Sequence, residues 1–261
     1  MRKLIAGTGW KMNIGADATA RYAARVTPLV DGFGDDIEMF VLPPFTSLHV
    51  ARQAFSSSAV GIGGQNVHWD SSGAWTGEIS AAMLAEAGCR YVELAHSERL
   101  EHFGETYELV RRKVNAAIDA GLTPILCLGE TAEDRQRGRA DKVLEAQMTL
   151  ALADQTAAQL SAIILAYEPR WAIGASAAAS PDYAAERHRN LRNAVGARFG
   201  SDAAAGVRII YGGSVTSGNG AALMERIEID GLFVGRAAWS PDGFAEIAAI
   251  VARAVNWRKA Q

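Results

Sequence analysis

The sequence predicts an α/β protein folded as a single (β/α)8 barrel domain over residues 1–261, on three observations. Short, near-continuously apolar runs recur eight times along the chain, which suits strands buried on both faces of a parallel sheet. Longer segments of helical character separate them. Parallel neighbours need such crossovers, and these are right-handed almost without exception. The length also fits, since a barrel of this kind typically takes about 250 residues. An open doubly wound sheet is the competing architecture. It would normally carry a GxGxxG turn after its first strand, and AGTGWKMN does not complete one.

The predicted strands are KLIAG (3–7), EMFVLP (38–43), AVGIGGQ (59–65), YVELA (91–95), TPILCLG (123–129), AIILAYE (162–168), VRIIYGG (207–213) and GLFVG (231–235). In the first helical segment Pro28 should bend or end the helix. Segment 105–121 places Tyr107, Val110, Val114, Ala117 and Ile118 on one stripe with charges opposite, and closes on Gly121. Segments 180–200 and 240–255 both open with Ser-Pro, a cap followed by a residue suited to the first helical turn.

Composition narrows the function classes. The formal net charge is −3 with both signs interspersed, so no basic stripe points to nucleic acid and no polybasic tail to a membrane surface. The apolar run before Gly7 is too short for a signal peptide, and no stretch reaches membrane-span length. Cys89 and Cys127 sit in apolar contexts without a CxxC partner. A disulfide framework and a cysteine metal site are not expected, and a reduced, cytoplasmic setting is the default.

In a barrel, the segments following the strands build the site. Lys11, His96 and Glu168 each follow a strand, as do the glycine-rich YGGSVTSGN (211–219) and Gly235-Arg236. Each has an ordinary structural explanation alone, as a cap, an ion pair or a turn; their convergence on one rim favours a site. Glycine turns leading into a helix let backbone N–H groups approach an anion, which points to a phosphate monoester.

These residues resemble a known family. WKMN (10–13), AHSER (95–99), AYEPRWAIG (166–174), YGGSV (211–215), QNVHW…GAWTGE (65–78), CLGE (127–130) and DGLFVG (230–235) are similar, in order and spacing, to the signature segments of triosephosphate isomerase, the type case of the TIM barrel. The resemblance implies Glu168 as the base, neutral His96 as the group that polarises the carbonyl, and Lys11 as the cation facing enediolate and phosphate. It implies Gly174, Ser214 and Gly235 as phosphate donors and Glu98 as a brace for Lys11. PRWAIGASAAAS would be a lid hinged at Pro169 and Trp171. No metal and no organic cofactor is implied, and the sequence shows no ligand cluster for one. The ligand would be a small phosphorylated sugar, with no nucleic acid and no membrane as partner. A homodimer is implied, with the exposed loop VHWDSSGAWTGEIS (67–80), carrying Trp69 and Trp75, inserting into a second copy and Thr76 reaching the partner's site.

Three segments depart from the family pattern. Gly9 stands where the family has Asn; the lid tip is Ala175-Ser176-Ala177 in place of Thr-Gly-Lys; and Gly235-Arg236 replaces two glycines. Loss of the Asn side chain opens space at the reacting end, enough for one hydroxymethyl group, and Arg236 adds a guanidinium beside the phosphate. These features resemble the branch of the family acting on four-carbon sugar phosphates, which interconverts L-erythrulose 1-phosphate and D-erythrulose 4-phosphate in erythritol catabolism. Three other readings stay open: an ordinary triosephosphate isomerase acting on glyceraldehyde 3-phosphate and dihydroxyacetone phosphate that has drifted at these positions, a barrel that binds sugar phosphate without turnover, and lyase or synthase chemistry on the same phosphate cradle.

Overall fold

A computed structural model describes residues 2–174 and 178–260. Eight parallel strands close a barrel in sequence order: β1 (Leu4–Gly9), β2 (Ile37–Leu42), β3 (Val60–Gly64), β4 (Tyr91–Leu94), β5 (Thr123–Leu128), β6 (Ile164–Tyr167), β7 (Arg208–Tyr211) and β8 (Gly231–Val234). β8 pairs with β1, with Ile5 opposite Gly231, so the sheet has no free edge. Each expected apolar run holds one strand. Run and strand ends agree to within two residues, with β1 extending past its run to Gly9 and β2 starting one residue before its run at Ile37.

The strand pleat sorts side chains into two layers. Leu4 and Ala6 of β1, Met39 and Val41 of β2, and Leu165 and Tyr167 of β6 face the helices. Ile5, Phe40, Tyr91, Ile125, Ile164, Ile210 and Phe233 point into the barrel. The Phe40 ring packs on Tyr91 at 4.9 Å and on Phe233 at 5.7 Å between centroids, so aromatic rings fill the interior. Gly7 makes room for them. A Cβ there would lie 2.2 Å from Phe40, so any larger residue would expel the ring.

The helices form the outer shell. Helix Pro181–Phe199 is capped by Ser180, whose side chain accepts from the Tyr183 N–H, and helix Pro241–Lys259 by Ser240 in the same way. The latter buries Phe244, Ile247, Ile250 and Val251, each contributing roughly 1.5–3 kcal/mol. Pro28 lies in the last turn of helix Ala16–Val30, which stops two residues later. Helix Tyr107–Asp119 buries Val110, Val114 and Ala117 as expected, and Gly121 takes a φ of 74° at its end. Its charges are not all on the outer side, however. Lys113 is buried against the Glu105 carboxylate and Asn66 Oδ1, because this helix must also support the loop after β3. That loop needs a second correction. Trp75 is exposed, but Trp69 is half-buried, stacked on His68 with the Arg112 guanidinium over its ring.

Candidate active site

The inward pleat of two strands continues past their ends and sets the site. In β1 the inward positions run Ile5, Gly7, Gly9 and on to Lys11; in β6 they run Ile164, Ala166 and on to Glu168. Lys11 adopts a φ of 51°, and Ala95 and Ser214 also have positive φ, at 61° and 48°. All three follow strands at the mouth of the barrel. Non-glycine residues in this region cost of order 1–3 kcal/mol each, strain that surrounding contacts must hold in place. At Lys11 the holding contact is Gln65, whose amide donates to the Lys11 carbonyl and to that of Leu42, both at 2.9 Å. Lys11 Nζ then donates to Glu98 Oε1 at 2.6 Å, the brace expected from sequence.

His96 caps helix Ser97–His102. Its Nδ1 accepts from the Glu98 N–H at 3.2 Å. A ring nitrogen that accepts a backbone hydrogen carries no proton of its own, so the proton of the neutral ring lies on Nε2. Nε2 faces Glu168 Oε2 at 3.9 Å. Burial, and then the Lys11 charge, pull the imidazole down to about 4, so it is uncharged at neutral pH. Glu168 is pushed the other way. Burial raises its carboxyl to about 8, against the opposing influence of Lys11 and the Cys127 thiol. Among the described residues, Glu168 Oε2 is buried and has no hydrogen-bond partner. Gly212 leaves space for this carboxyl group, since a Cβ there would meet Glu168 Oε1 at 2.8 Å.

A cavity of about 640 Å3 opens above these groups, a size suited to a small ligand. Gly174, Ser214, Gly235 and Arg236 line it together with Gly9, Lys11, His96, Glu98 and Glu168. Nearly all the site residues expected from sequence are thus assembled around one space. Among the described residues the Arg236 guanidinium forms neither a hydrogen bond nor an ion pair. Ser214 Oγ donates to the Ala172 carbonyl at 2.6 Å and so ties the loop after β7 to the hinge of the expected lid. The hinge itself is fixed by Glu130, whose Oε1 accepts from Tyr167, Trp171 and Tyr183 at 3.1, 2.8 and 2.9 Å. The lid tip Ala175-Ser176-Ala177 lies outside the described residues. Thr76 is exposed on the loop after β3 and does not line the cavity of its own chain.

One wall residue escaped the sequence reading. Glu93 stands in the middle of β4, in the run YVELA, where all neighbours are apolar. It lies on the inward pleat one step above Tyr91, is buried, and lines the cavity. An acidic residue on the inner parity of a buried strand was the available signal. Donor atoms of Glu93, His96 and Glu168 all lie within 4.8 Å of one another, close enough to hold a cation. No ligand spacing in the sequence announces this trio, because its members come from two different strands and a cap.

A barrel mouth that joins a buried carboxyl, an uncharged imidazole and an ammonium beneath glycine-lined loops defines an enzyme site for proton transfer on a small anion. The comparisons with known proteins agree. The sequence profile for triosephosphate isomerase matches residues 3–251. The L-erythrulose-1-phosphate isomerase of Mesorhizobium japonicum is 45% identical over 243 residues, 92% of this chain and 94% of that protein. That of Brucella abortus biovar 1 is 46% identical over 259 residues, 98% and 99% of the two chains. The triosephosphate isomerase of Solibacter usitatus is 43% identical over 247 residues, 95% and 99% of the two chains. The chain belongs to the triosephosphate isomerase family, and it is a sugar-phosphate isomerase of that family. Among the described residues, no helix is long and apolar enough to cross a membrane.

The raised Glu168 carboxyl makes the pH dependence predictable. A base works only when ionised, so kcat/KM should climb with pH through about 8 and level off above it. His96 is uncharged over that whole range and should add no limb near its ordinary value. A pH–rate profile already flat from pH 6 upward would contradict this assignment.

Proposed function

We propose that this enzyme interconverts L-erythrulose 1-phosphate and D-erythrulose 4-phosphate through a cis-enediolate. Glu168 takes the proton from the hydroxyl-bearing carbon beside the ketone. Electrons move into the C–C bond and the carbonyl oxygen becomes an enediolate oxygen. His96 Nε2–H donates to that oxygen and exchanges protons between the two oxygens. Protonated Glu168 then returns its proton to the former carbonyl carbon. Lys11 offsets the developing negative charge. Gly174, Ser214, Gly235 and Arg236 hold the phosphate, the backbone groups as donors and Arg236 as a guanidinium with no competing partner in the described chain. None of these steps calls for a metal or an organic cofactor.

The observation that carries the four-carbon reading is Gly9 on the cavity wall. A Cβ at this position would meet nothing closer than Phe233 at 3.5 Å, so the missing side chain leaves usable space at the reacting end. Four-carbon and three-carbon substrates differ there by one hydroxymethyl group replacing a hydrogen. The names borne by the Mesorhizobium and Brucella relatives support the same choice. The Solibacter relative's name favours the alternative, interconversion of glyceraldehyde 3-phosphate and dihydroxyacetone phosphate. Steady-state assay of purified enzyme on both pairs decides between them. A kcat/KM for glyceraldehyde 3-phosphate well above that for the erythrulose phosphates rejects the four-carbon reading.

We also read the active form as a homodimer. Met12, beside Lys11, and Trp75, at the tip of the loop after β3, are exposed apolar groups near one rim, and a second copy would cover them. Thr76 would then approach Lys11 of the partner. Sedimentation velocity should give about twice the chain mass, and an active monomer would refute this. The two free, buried cysteines suit a reducing, cytoplasmic setting.

A further inference from the structure

Glu93 has no part in the proton-transfer scheme, yet its carboxyl group faces the reacting end. Its Oε2 lies 3.8 Å from the point where a Cβ on Gly9 would stand, so the two residues oppose each other across the cavity floor. Among the described residues its one polar contact is at Oε1, with Cys127 Sγ at 4.0 Å, a weak donor. A buried carboxyl group with so little hydrogen bonding is unfavourable unless a ligand supplies a partner. Resting on the four-carbon reading, we propose that Glu93 is the specificity-determining contact for the terminal hydroxymethyl group of the substrate. Gly9 provides the volume and Glu93 the hydrogen bond.

The chemistry of the pair supports this division. Two carboxyl groups this close in a buried pocket do not both ionise. Burial, and then the neighbouring Glu168, raise Glu93 well above the usual carboxylate range. Glu168 therefore serves as the ionised member when the enzyme turns over, and Glu93 keeps its proton. A neutral carboxylic acid both donates and accepts, which matches a hydroxyl group at both of its functions. A triose phosphate offers only hydrogen at that place and leaves the acid unpaired. Sites built to bind a hydroxyl discriminate against analogues lacking it for this reason.

The test uses the full-length enzyme and both substrate pairs. Glu93→Met matches the side chain in length but cannot hydrogen-bond; it should lower the ratio of kcat/KM for erythrulose phosphates over glyceraldehyde 3-phosphate by about 10- to 100-fold. Glu93→Gln, which retains a donor and an acceptor, should keep that ratio within about threefold of the parent, an order-of-magnitude expectation for a preserved hydrogen bond. Glu93→Ala, which cannot overpack, replaces the Met variant should the latter not fold. An unchanged ratio in the Met or Ala variant, or equal loss for both substrates, overturns the role of Glu93. That result is distinct from failure of the four-carbon reading, which shows in the parent enzyme as turnover of glyceraldehyde 3-phosphate far above that of the erythrulose phosphates and removes the basis for both.

Discussion

Substituting Glu168 by Gln is expected to lower kcat by about 10²- to 10⁴-fold while KM changes little. The amide keeps the volume of the side chain and its place after β6, but it cannot accept a proton from carbon. Binding should survive because the substitution leaves the proposed phosphate contacts at Gly174, Ser214, Gly235 and Arg236 in place. Glu168→Asp is the informative companion. It keeps the carboxyl group and withdraws it by one methylene from a position fixed by the Glu168 N–H bond to the Leu128 carbonyl at 2.7 Å. A displacement of that order costs on the order of 100-fold when the base must lie in line with a C–H bond. Single-turnover kinetics on both variants, together with exchange of the substrate proton into deuterated water, make the comparison. Gln-variant turnover within a factor of a few of the parent enzyme would remove Glu168 from the role of base, and parent enzyme showing neither turnover nor solvent exchange would favour a binding protein over an isomerase.

Lys11→Met is the second large effect. Loss of the ammonium should cost about 10²- to 10³-fold in kcat/KM, the scale for removing one group aimed at developing negative charge. Lys11 differs from a surface cation in three ways: its backbone is held at positive φ, its carbonyl is clamped by Gln65, and its Nζ is directed by Glu98. The substitution should also move the pH profile. The Lys11 charge holds down the Glu168 carboxyl, so its removal raises that carboxyl further and shifts the acid limb to higher pH. The same charge disfavours imidazolium, so His96 becomes easier to protonate. A Lys11→Met enzyme with unchanged limb and nearly full activity would show that the ammonium acts only as a structural partner of Glu98. Trapping with borohydride in the presence of substrate should leave Lys11 unmodified, which separates this chemistry from that of a Schiff-base lyase.

Much of the barrel was legible because its signal is local. Eight buried strands between amphipathic helices announce themselves through apolar runs, and Ser180 and Ser240 mark helix starts where the structure has them. The chemical groups at strand ends were legible for a similar reason, since the pleat that aims Ile164 and Ala166 inward also aims Glu168. What escaped depends on contacts between distant segments. Lys113 reads as one more charge on a polar face until Glu105 and Asn66 enclose it. Trp69 reads as an exposed aromatic until His68 and Arg112 cover it. Glu93 was hidden by the apolar run that contains it, and the space left by Gly9 could not be seen as shared with it before β1 and β4 were placed across one floor.

The aromatic filling of the barrel interior has a consequence for the fate of the migrating proton. Among the described residues, Phe40, Tyr91 and Phe233 pack below the reaction centre and fill the barrel on that side with apolar rings. On the proposed mechanism, an abstracted hydrogen would then escape to bulk water through the barrel mouth, and the rate of that leakage would report the exposure of the mouth rather than the strength of the carbon acid.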